Sequence, residues 1–342
     1  VIPVIESTKQ LDELLSTPTP GVVETFHRLE GDLVILGVAG KMGPTLARMA
    51  RRATDEARKP RRIIGVARLS KPEAERQLHT WGIETIRCDL LDPAQVAKLP
   101  EAPNVVWMGG MKFGTTGQEA LTWAMNTYAP ALVCERFKRS RIVAFSTGNV
   151  YGLTPVDRGG SVESDPLNPV GEYSLSTLGR ERIFEYFSRT HAIPMILLRL
   201  NYAVEMRYGV LVDIARRVIE CQPVDVSMGY VNVIWQGDAN AMALQAFDHV
   251  TAPPRVLNIA GPEILSVRRV AERFAELFKK AAMITGTEAP DALLSNAAQS
   301  RQLFGTPQVS ANQLIKWIAD WIARGGESLG KPTHFESREG KF

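Results

Sequence analysis

The four-residue apolar run Leu33-Val34-Ile35-Leu36 ends in Gly37-Val38-Ala39-Gly40-Lys41-Met42-Gly43 and passes through Pro44 into an amphipathic stretch reaching Ala57. A sharp turn from strand to helix needs residues without a Cβ. Pro44 suits the first helical turn, where a missing N–H costs nothing. The N-terminus of that helix offers free N–H groups and the positive end of its dipole to an anion such as a pyrophosphate. The spacing is GxxGxxG, not the commoner GxGxxG. Out of context this is a tight βα turn. Directly after a strand it becomes a candidate phosphate-binding turn, with Gly37, Gly40, Lys41, Met42 and Gly43 as its contacts.

From Leu33 onward, apolar runs of strand length alternate with helical patterns, the signature of βαβ units and a parallel sheet. The expected strands are Leu33–Leu36, Ile63–Ala67, Glu84–Arg87, Val105–Met108, Ile142–Phe145 and Met195–Leu198, with amphipathic stretches at Pro44–Ala57, Glu119–Phe137 and Tyr173–Phe187. The fold class is therefore α/β, a Rossmann-type doubly wound parallel sheet with a smaller C-terminal substrate lobe. Residues 1–30 read as an extension holding one short helix, 31–200 as the nucleotide-binding domain, and 201–324 mainly as the lobe and closing helices. Within that last region a strand near 256–259 is expected to return to the sheet, and 325–342 is a polar tail without periodicity.

Composition narrows the partners. A net charge of +3 with 23% charged residues, and basic doublets far apart in sequence, argue against nucleic acid. Cys88, Cys134 and Cys221 form no CxxC pair, and the five histidines show no ligand spacing, so neither a disulfide framework nor a metal site is expected. No apolar run approaches the roughly 20 residues that span a bilayer. Val1–Gln10 lacks the order of a signal peptide, and a reducing, cytoplasmic setting fits best.

The phosphate turn is similar to that of extended short-chain dehydrogenases of the epimerase/dehydratase type, and further matches follow in order. Cys88-Asp89-Leu90 resembles the Asp-Leu step whose carboxylate meets the adenine. Val105-Val106-Trp107-Met108-Gly109-Gly110 resembles the fourth strand and the small-residue loop beside the nicotinamide ribose. Lys112 resembles a lysine placed near the cofactor phosphates, and Ser146-Thr147-Gly148-Asn149-Val150-Tyr151-Gly152 resembles the SSxxVYG segment. Asp238 matches the aspartate ending the returning lobe segment. The resemblance covers roughly Asp32 to Lys280 and implies an NAD(P) cofactor. At the end of the second strand, where NAD-binding members carry a carboxylate for the ribose hydroxyls, this chain has Arg68, Leu69, Ser70 and Lys71. Arg68 and Ser70 suit a 2′-phosphate, so NADP is expected, with NAD as the alternative.

The same resemblance makes Tyr173 the base that removes a hydroxyl proton as hydride leaves, Thr147 the hydroxyl that positions it, and Asn126 the helix asparagine linking polar groups behind the site. Glu181 matches the glutamate that often follows. The departure is Thr177, which stands where the family has lysine in YxxxK. Positions i and i+4 share a helix face, so the lysine would adjoin the tyrosine and hold the ribose. A phenol at its reference value is ionised only about one part in a thousand at pH 7, a handicap of roughly 4 kcal/mol. Arg180 and Lys112 are the candidate substitutes.

On the substrate side the candidates are Asn149, Asn201, Tyr202, Arg207, Tyr208 and Trp235, polar or amphipathic side chains suited to a sugar, with core packing as the alternative for Tyr208 and Trp235. Nucleotide-sugar members usually carry an arginine where this chain has Val231. The expected function is hydride transfer on a sugar-like polyhydroxylated small molecule, by an oxidoreductase or epimerase. The alternatives are a cofactor-binding regulator or scaffold with a degenerate site, and a nucleotide-sugar epimerase/dehydratase. Glu119–Phe137 and Tyr173–Phe187 resemble the helices that members pack between subunits, so a homodimer is expected, with Phe184 and Phe187 at its contact.

Overall fold

The computed structural model describes residues 4–112, 114 and 117–340. The ends of the extension and of the tail, residues 1–3 and 341–342, lie outside the described residues. Seven parallel strands form the central sheet: β1 (Leu33–Leu36), β2 (Ile63–Ala67), β3 (Glu84–Arg87), β4 (Asn104–Trp107), β5 (Arg141–Thr147), β6 (Met195–Leu200) and β7 (Arg255–Ile259). Their order is β3-β2-β1-β4-β5-β6-β7, all paired in parallel. The chain reverses direction across the sheet between β1 and β4, which opens a crevice at the C-terminal ends of those two strands.

Strands β1, β2 and β4 are buried at every residue because helices cover both faces. On one face lie α1 (Thr8–Leu15), α2 (Pro20–Arg28) and α3 (Gly43–Glu56), where Phe26, Leu46 and Ala50 join Ile35 and Val143 in one core. The expected single helix of the extension is thus two helices. Its apolar positions divide: Phe26 enters the sheet core, while Leu11 and Leu15 enter the core of the lobe. Two short helices the hydrophobic pattern did not reveal, α4 (Pro72–Thr80) and α5 (Pro93–Ala97), connect β2 to β3 and β3 to β4.

The other face is covered by a long helical element and its partner. The expected helix at Glu119–Phe137 is α6 (Glu119–Trp123), a π turn (Ala124–Tyr128) and α7 (Ala129–Arg136). It packs beside α8 (Gly171–His191), and Val133, Phe184 and Phe187 form a core with Trp107 and Leu36. This corrects the expectation for Phe184 and Phe187, which are buried in the chain's own sheet core; the Phe184 ring lies edge-on to Trp107, with centroids 6.1 Å apart.

The remaining helices are α9 (Val210–Ile219), α10 (Gln236–Gln245), α11 (Val267–Phe278), α12 (Ala298–Phe304) and α13 (Ala311–Ala323): α9, α11 and α13 form the core of the lobe, whereas α10 packs on α2 and α3 in the sheet core and α12 packs on β7, with two-residue strand pairs between the helices. Residues 325–340 have no regular structure yet follow a fixed course over the lobe. Thr333 donates from its N–H (2.7 Å) and hydroxyl (2.6 Å) to the Asp213 carboxylate, Phe335 is buried in the lobe core, and Glu336 pairs with Arg217 at 3.0 Å. The Arg338 guanidinium donates to the Asp291 carbonyl at 2.9 Å and pairs with its carboxylate. No helix among the described residues is long and apolar enough to cross a membrane.

Candidate active site

At the crevice, Gly37 has φ +89°, and a Cβ there would stand 2.8 Å from the Gly109 nitrogen and 2.9 Å from the Met108 carbonyl carbon. Only glycine allows the β1 turn and the β4 loop to approach this closely. At Gly43 a Cβ would meet the Val38 oxygen at 2.2 Å, which holds the start of α3 against the turn. At Gly40 it would meet only the Gly37 oxygen, at 3.3 Å, so this glycine leaves an open approach to the backbone. Met42 provides no side-chain cap to α3. The uncapped N–H groups of α3 and the open face at Gly40 therefore fit a cofactor pyrophosphate.

Arg68 and Ser70 are exposed just beyond β2, and Arg68 makes no hydrogen bond or ion pair to a described residue. Asp89 accepts from the Leu91 N–H at 3.0 Å, while Leu90 is buried. Gly110, with φ +152°, lies on Arg180: a Cβ would meet the guanidinium at 2.3 Å.

Below this loop lies a polar cluster. Asn126, on the π turn, accepts from the Met111 N–H at 3.1 Å and donates to the Met111 carbonyl (3.2 Å) and the Ser176 hydroxyl (2.8 Å). Ser176 in turn donates to the Tyr173 carbonyl at 3.1 Å. Arg180 donates to Asn126 Oδ1 and, at 3.0 Å, to the Phe145 carbonyl. Burial lowers the Arg180 pKa, with the Tyr173 and Glu181 oxygens opposing it. The extra residue of a π turn rotates one side chain out of α register, and here Asn126 reaches α8 and the β4 loop together. Thr177 is fully buried. Its hydroxyl and the Arg180 Nε find no partner among the described residues. Orphaned polar atoms beside the crevice are further observations that fit a bound cofactor.

Thr147 ends β5 and its hydroxyl donates to Asn149 Oδ1 at 3.2 Å. Asn149 and Ser174 line one small surface pocket with Leu153, Val170, Ser337 and Arg338. The Lys112 Nζ lies 5.7 Å from the Tyr173 ring centroid, so this lysine reaches toward the tyrosine, and burial depresses it to about 8. The Lys41 Nζ stands 3.2 Å from the centroid of the half-buried Tyr208 ring.

Other candidates lie apart from that pocket. Arg207 is committed to Glu205 and, through α1, to Asp12, each at 3.1 Å. Asn201 donates to Asn232 Oδ1 at 2.7 Å, Trp235 is buried against Trp317, and the buried Tyr202 hydroxyl has no partner among the described residues. Asp238 accepts from the Val309 N–H at 3.1 Å, beside a separate cavity at Thr19 and Gln245. The sequence reading missed the anchor beneath α8. Arg199 of β6 donates to Glu181 at 3.0 and 2.7 Å and to the Tyr151 hydroxyl at 2.8 Å, and that hydroxyl donates to Asn258 of β7 at 2.7 Å. Among the described residues no group of acids, cysteines and histidines could hold a metal.

The sheet order, the glycine turn and the tyrosine on α8 define an extended short-chain dehydrogenase fold. The sequence matches the profile of the NAD dependent epimerase/dehydratase family over residues 33–204. The chain belongs to that family, and so to a class of enzymes. No curated protein matches it in sequence. Solved structures share its fold. UDP-glucose 4-epimerase of Thermotoga maritima, bound to UDP-glucose, is 15% identical with a TM-score of 0.68, covering 86% of this chain and 99% of its own. MoeE5 in complex with UDP-glucose and NAD is 20% identical, with a TM-score of 0.69 and the same coverages. dTDP-glucose 4,6-dehydratase of Bacillus anthracis in complex with NAD is 16% identical with a TM-score of 0.70, covering 86% and 97%.

Proposed function

We propose that this protein is an NAD(P)-dependent oxidoreductase or epimerase that transfers hydride at a hydroxyl-bearing carbon of a sugar-like small molecule, with NADP its preferred cofactor. The observation that carries this reading is the convergence of the Tyr173, Thr147 and Asn126 segments at the crevice where the phosphate turn meets the β4 loop. A bound nicotinamide supplies the hydride acceptor and donor. Gly40 leaves the backbone open to its pyrophosphate, Gly37 and Gly43 let the turn close against the β4 loop and the start of α3, and Arg68 and Ser70 meet the 2′-phosphate. Tyr173 takes the hydroxyl proton, Thr147 orients the hydroxyl with it, and Thr177 offers a hydrogen bond in place of a charge. Arg180, buried behind the β4 loop, provides the fixed positive charge that residue 177 lacks.

A nucleotide-sugar substrate is the second reading, favoured by the UDP-glucose bound to two of the structural neighbours. Against it stands Val231, fully buried and paired with Leu265 where such members carry arginine. One experiment separates these readings from a scaffold role: reduction of NADP and of NAD is followed with sugars, sugar acids and nucleotide sugars. Tyr173→Phe is expected to lower turnover at least 100-fold and to leave cofactor affinity within twofold. Turnover undiminished in that variant removes Tyr173 from the chemistry, and absence of turnover on every compound favours the scaffold.

A further inference from the structure

The turn at 205–208 sends its side chains in different directions. Glu205 and Tyr208 donate their N–H groups to each other's carbonyls at 3.0 and 3.2 Å, which closes a tight reversal just before α9. Met206 is buried in the lobe core. Tyr208 meets the phosphate turn, where Lys41 lays its ammonium 3.2 Å from the ring centroid. Lys41 directly follows Gly40, the glycine with the open face. A side-chain contact thus joins the lobe to the phosphate turn.

Arg207 is held by both ends of the chain. Its guanidinium donates to the Glu205 carboxylate at 3.1 and 3.2 Å and to Asp12 of α1 at 3.1 Å. The other Asp12 oxygen accepts from Gln77 of α4 at 3.3 Å, and both carboxylates are buried. α1 is itself tied to both halves of the molecule: Leu11 and Leu15 sit in the lobe core, while Glu13 pairs with Arg48 and, at 2.8 Å, with Arg52 of α3. The second hold comes from the strap that residues 325–340 lay over the lobe, where the Leu329 N–H donates to the Arg207 carbonyl at 3.1 Å. The strap also meets α1, through the Thr8 hydroxyl and Glu327 at 3.0 Å. α1, the strap and the turn they hold all lie outside the residues 33–204 that match the family. Moving that turn off the phosphate turn means parting a buried carboxylate from its guanidinium, which is costly.

We propose that the turn at 205–208 is a latch on the cofactor crevice. Tyr208 meets the phosphate turn through Lys41, Asp12 and Leu329 position Tyr208 through Arg207, and the cofactor enters and leaves when the latch opens. This rests on the NAD(P) binding proposed above and adds how that binding is regulated. Asp12 and Leu329 are positioning residues that touch no cofactor.

A latch differs from a contact in its kinetics. A group that only holds the cofactor slows its release, whereas a latch slows entry and release together, so loosening it moves Kd less than either rate. Stopped-flow fluorescence of NADPH, or of NADH if that binds better, gives the entry rate, and displacement by excess oxidised cofactor gives the release rate. Asp12→Asn keeps the shape and leaves Arg207 its Glu205 counter-charge, so the variant should fold. Both rates are expected to rise at least about fivefold, with Kd changed by less than about threefold. Leu329→Pro, which removes the strap's N–H, should raise both by at least about twofold. In a Tyr208→Leu background Asp12→Asn should add less than about twofold, because the turn it positions no longer holds Lys41.

Unchanged rates in Asp12→Asn and Leu329→Pro overturn the inference. So does a release rate that rises alone, carrying Kd with it, and so does a full Asp12→Asn effect persisting in Tyr208→Leu. If Asp12→Asn does not fold, Leu329→Pro alone decides. Cofactor binding with unmoved rates removes the latch and leaves the proposed function standing. If the wild type binds neither NADPH nor NADH, the proposed function falls and the latch with it.

Discussion

At the scale of single residues, Lys41 carries the clearest pH signature. Its ammonium is depressed to about 7, first by burial and then by repulsion from Lys112 and Lys331, with Asp213 and Glu205 pulling the other way. Between pH 7 and the ordinary lysine range near 10.5, the unfolded chain therefore holds a proton here that the folded chain has released. Stability contributed by this residue rises with pH across that window and falls again as pH drops toward 7. Chemical denaturation at pH 6.5 and 9.5 is expected to show that rise in the wild type and a smaller one in Lys41→Met. An identical pH response in both would separate Lys41 from the effect. Gly37 and Gly43 were legible at this scale because a tight strand-to-helix turn needs residues without a Cβ at that spacing. The engagement of Arg207 with Asp12 was not, since its partner lies in α1, 195 residues away in sequence.

The helix that presents Tyr173 depends on the element below it. Glu181 and Arg199 are 3% and 5% exposed, so their charges are held almost wholly away from water. Burial alone would lower the Arg199 pKa, but the Glu181 hydrogen bonds and charge outweigh it and the guanidinium is pushed up. With the Ser146 hydroxyl at 2.5 Å from Glu181, the pair ties α8 to β5 and β6. Glu181→Gln leaves a buried guanidinium without its counter-charge and is expected to cost about 3–5 kcal/mol in denaturant unfolding. A loss below about 1 kcal/mol would show that the pair adds little to stability. Strands β1, β2 and β4 could be read from apolar runs because sheet faces covered on both sides leave no polar alternation. The π turn could not, since its sequence keeps helical periodicity and the change lies in hydrogen-bond register. The strap could not either, because side chains pinned one at a time, such as Thr333, Phe335 and Arg338, leave no periodic signal.

Across the whole molecule, the burial of Phe184 and Phe187 moves the expected subunit contact to other residues of the same helices. Leu121, Trp123, Tyr128, Leu175 and Tyr186 are all large, apolar or aromatic, and 39% to 60% exposed. They lie on α6, the π turn and α8, the two neighbouring helical elements that cover one face of the sheet. Between them Gly179 leaves room for Thr127 and Trp123, and the Trp123 indole donates to Glu172 at 2.5 Å, which fixes Trp123 at the surface. Monomers rarely leave such a group of residues to water. A second copy related by a two-fold axis would cover it with the same residues, and the two helical elements of each subunit would then form a four-helix contact. We therefore expect a homodimer by light scattering at micromolar concentration. Leu121→Glu combined with Leu175→Glu should give a folded monomer of unchanged circular dichroism, because both side chains are already exposed and the sheet core is untouched. A wild-type mass of one chain, or a double variant that remains dimeric, would place the contact elsewhere or remove it.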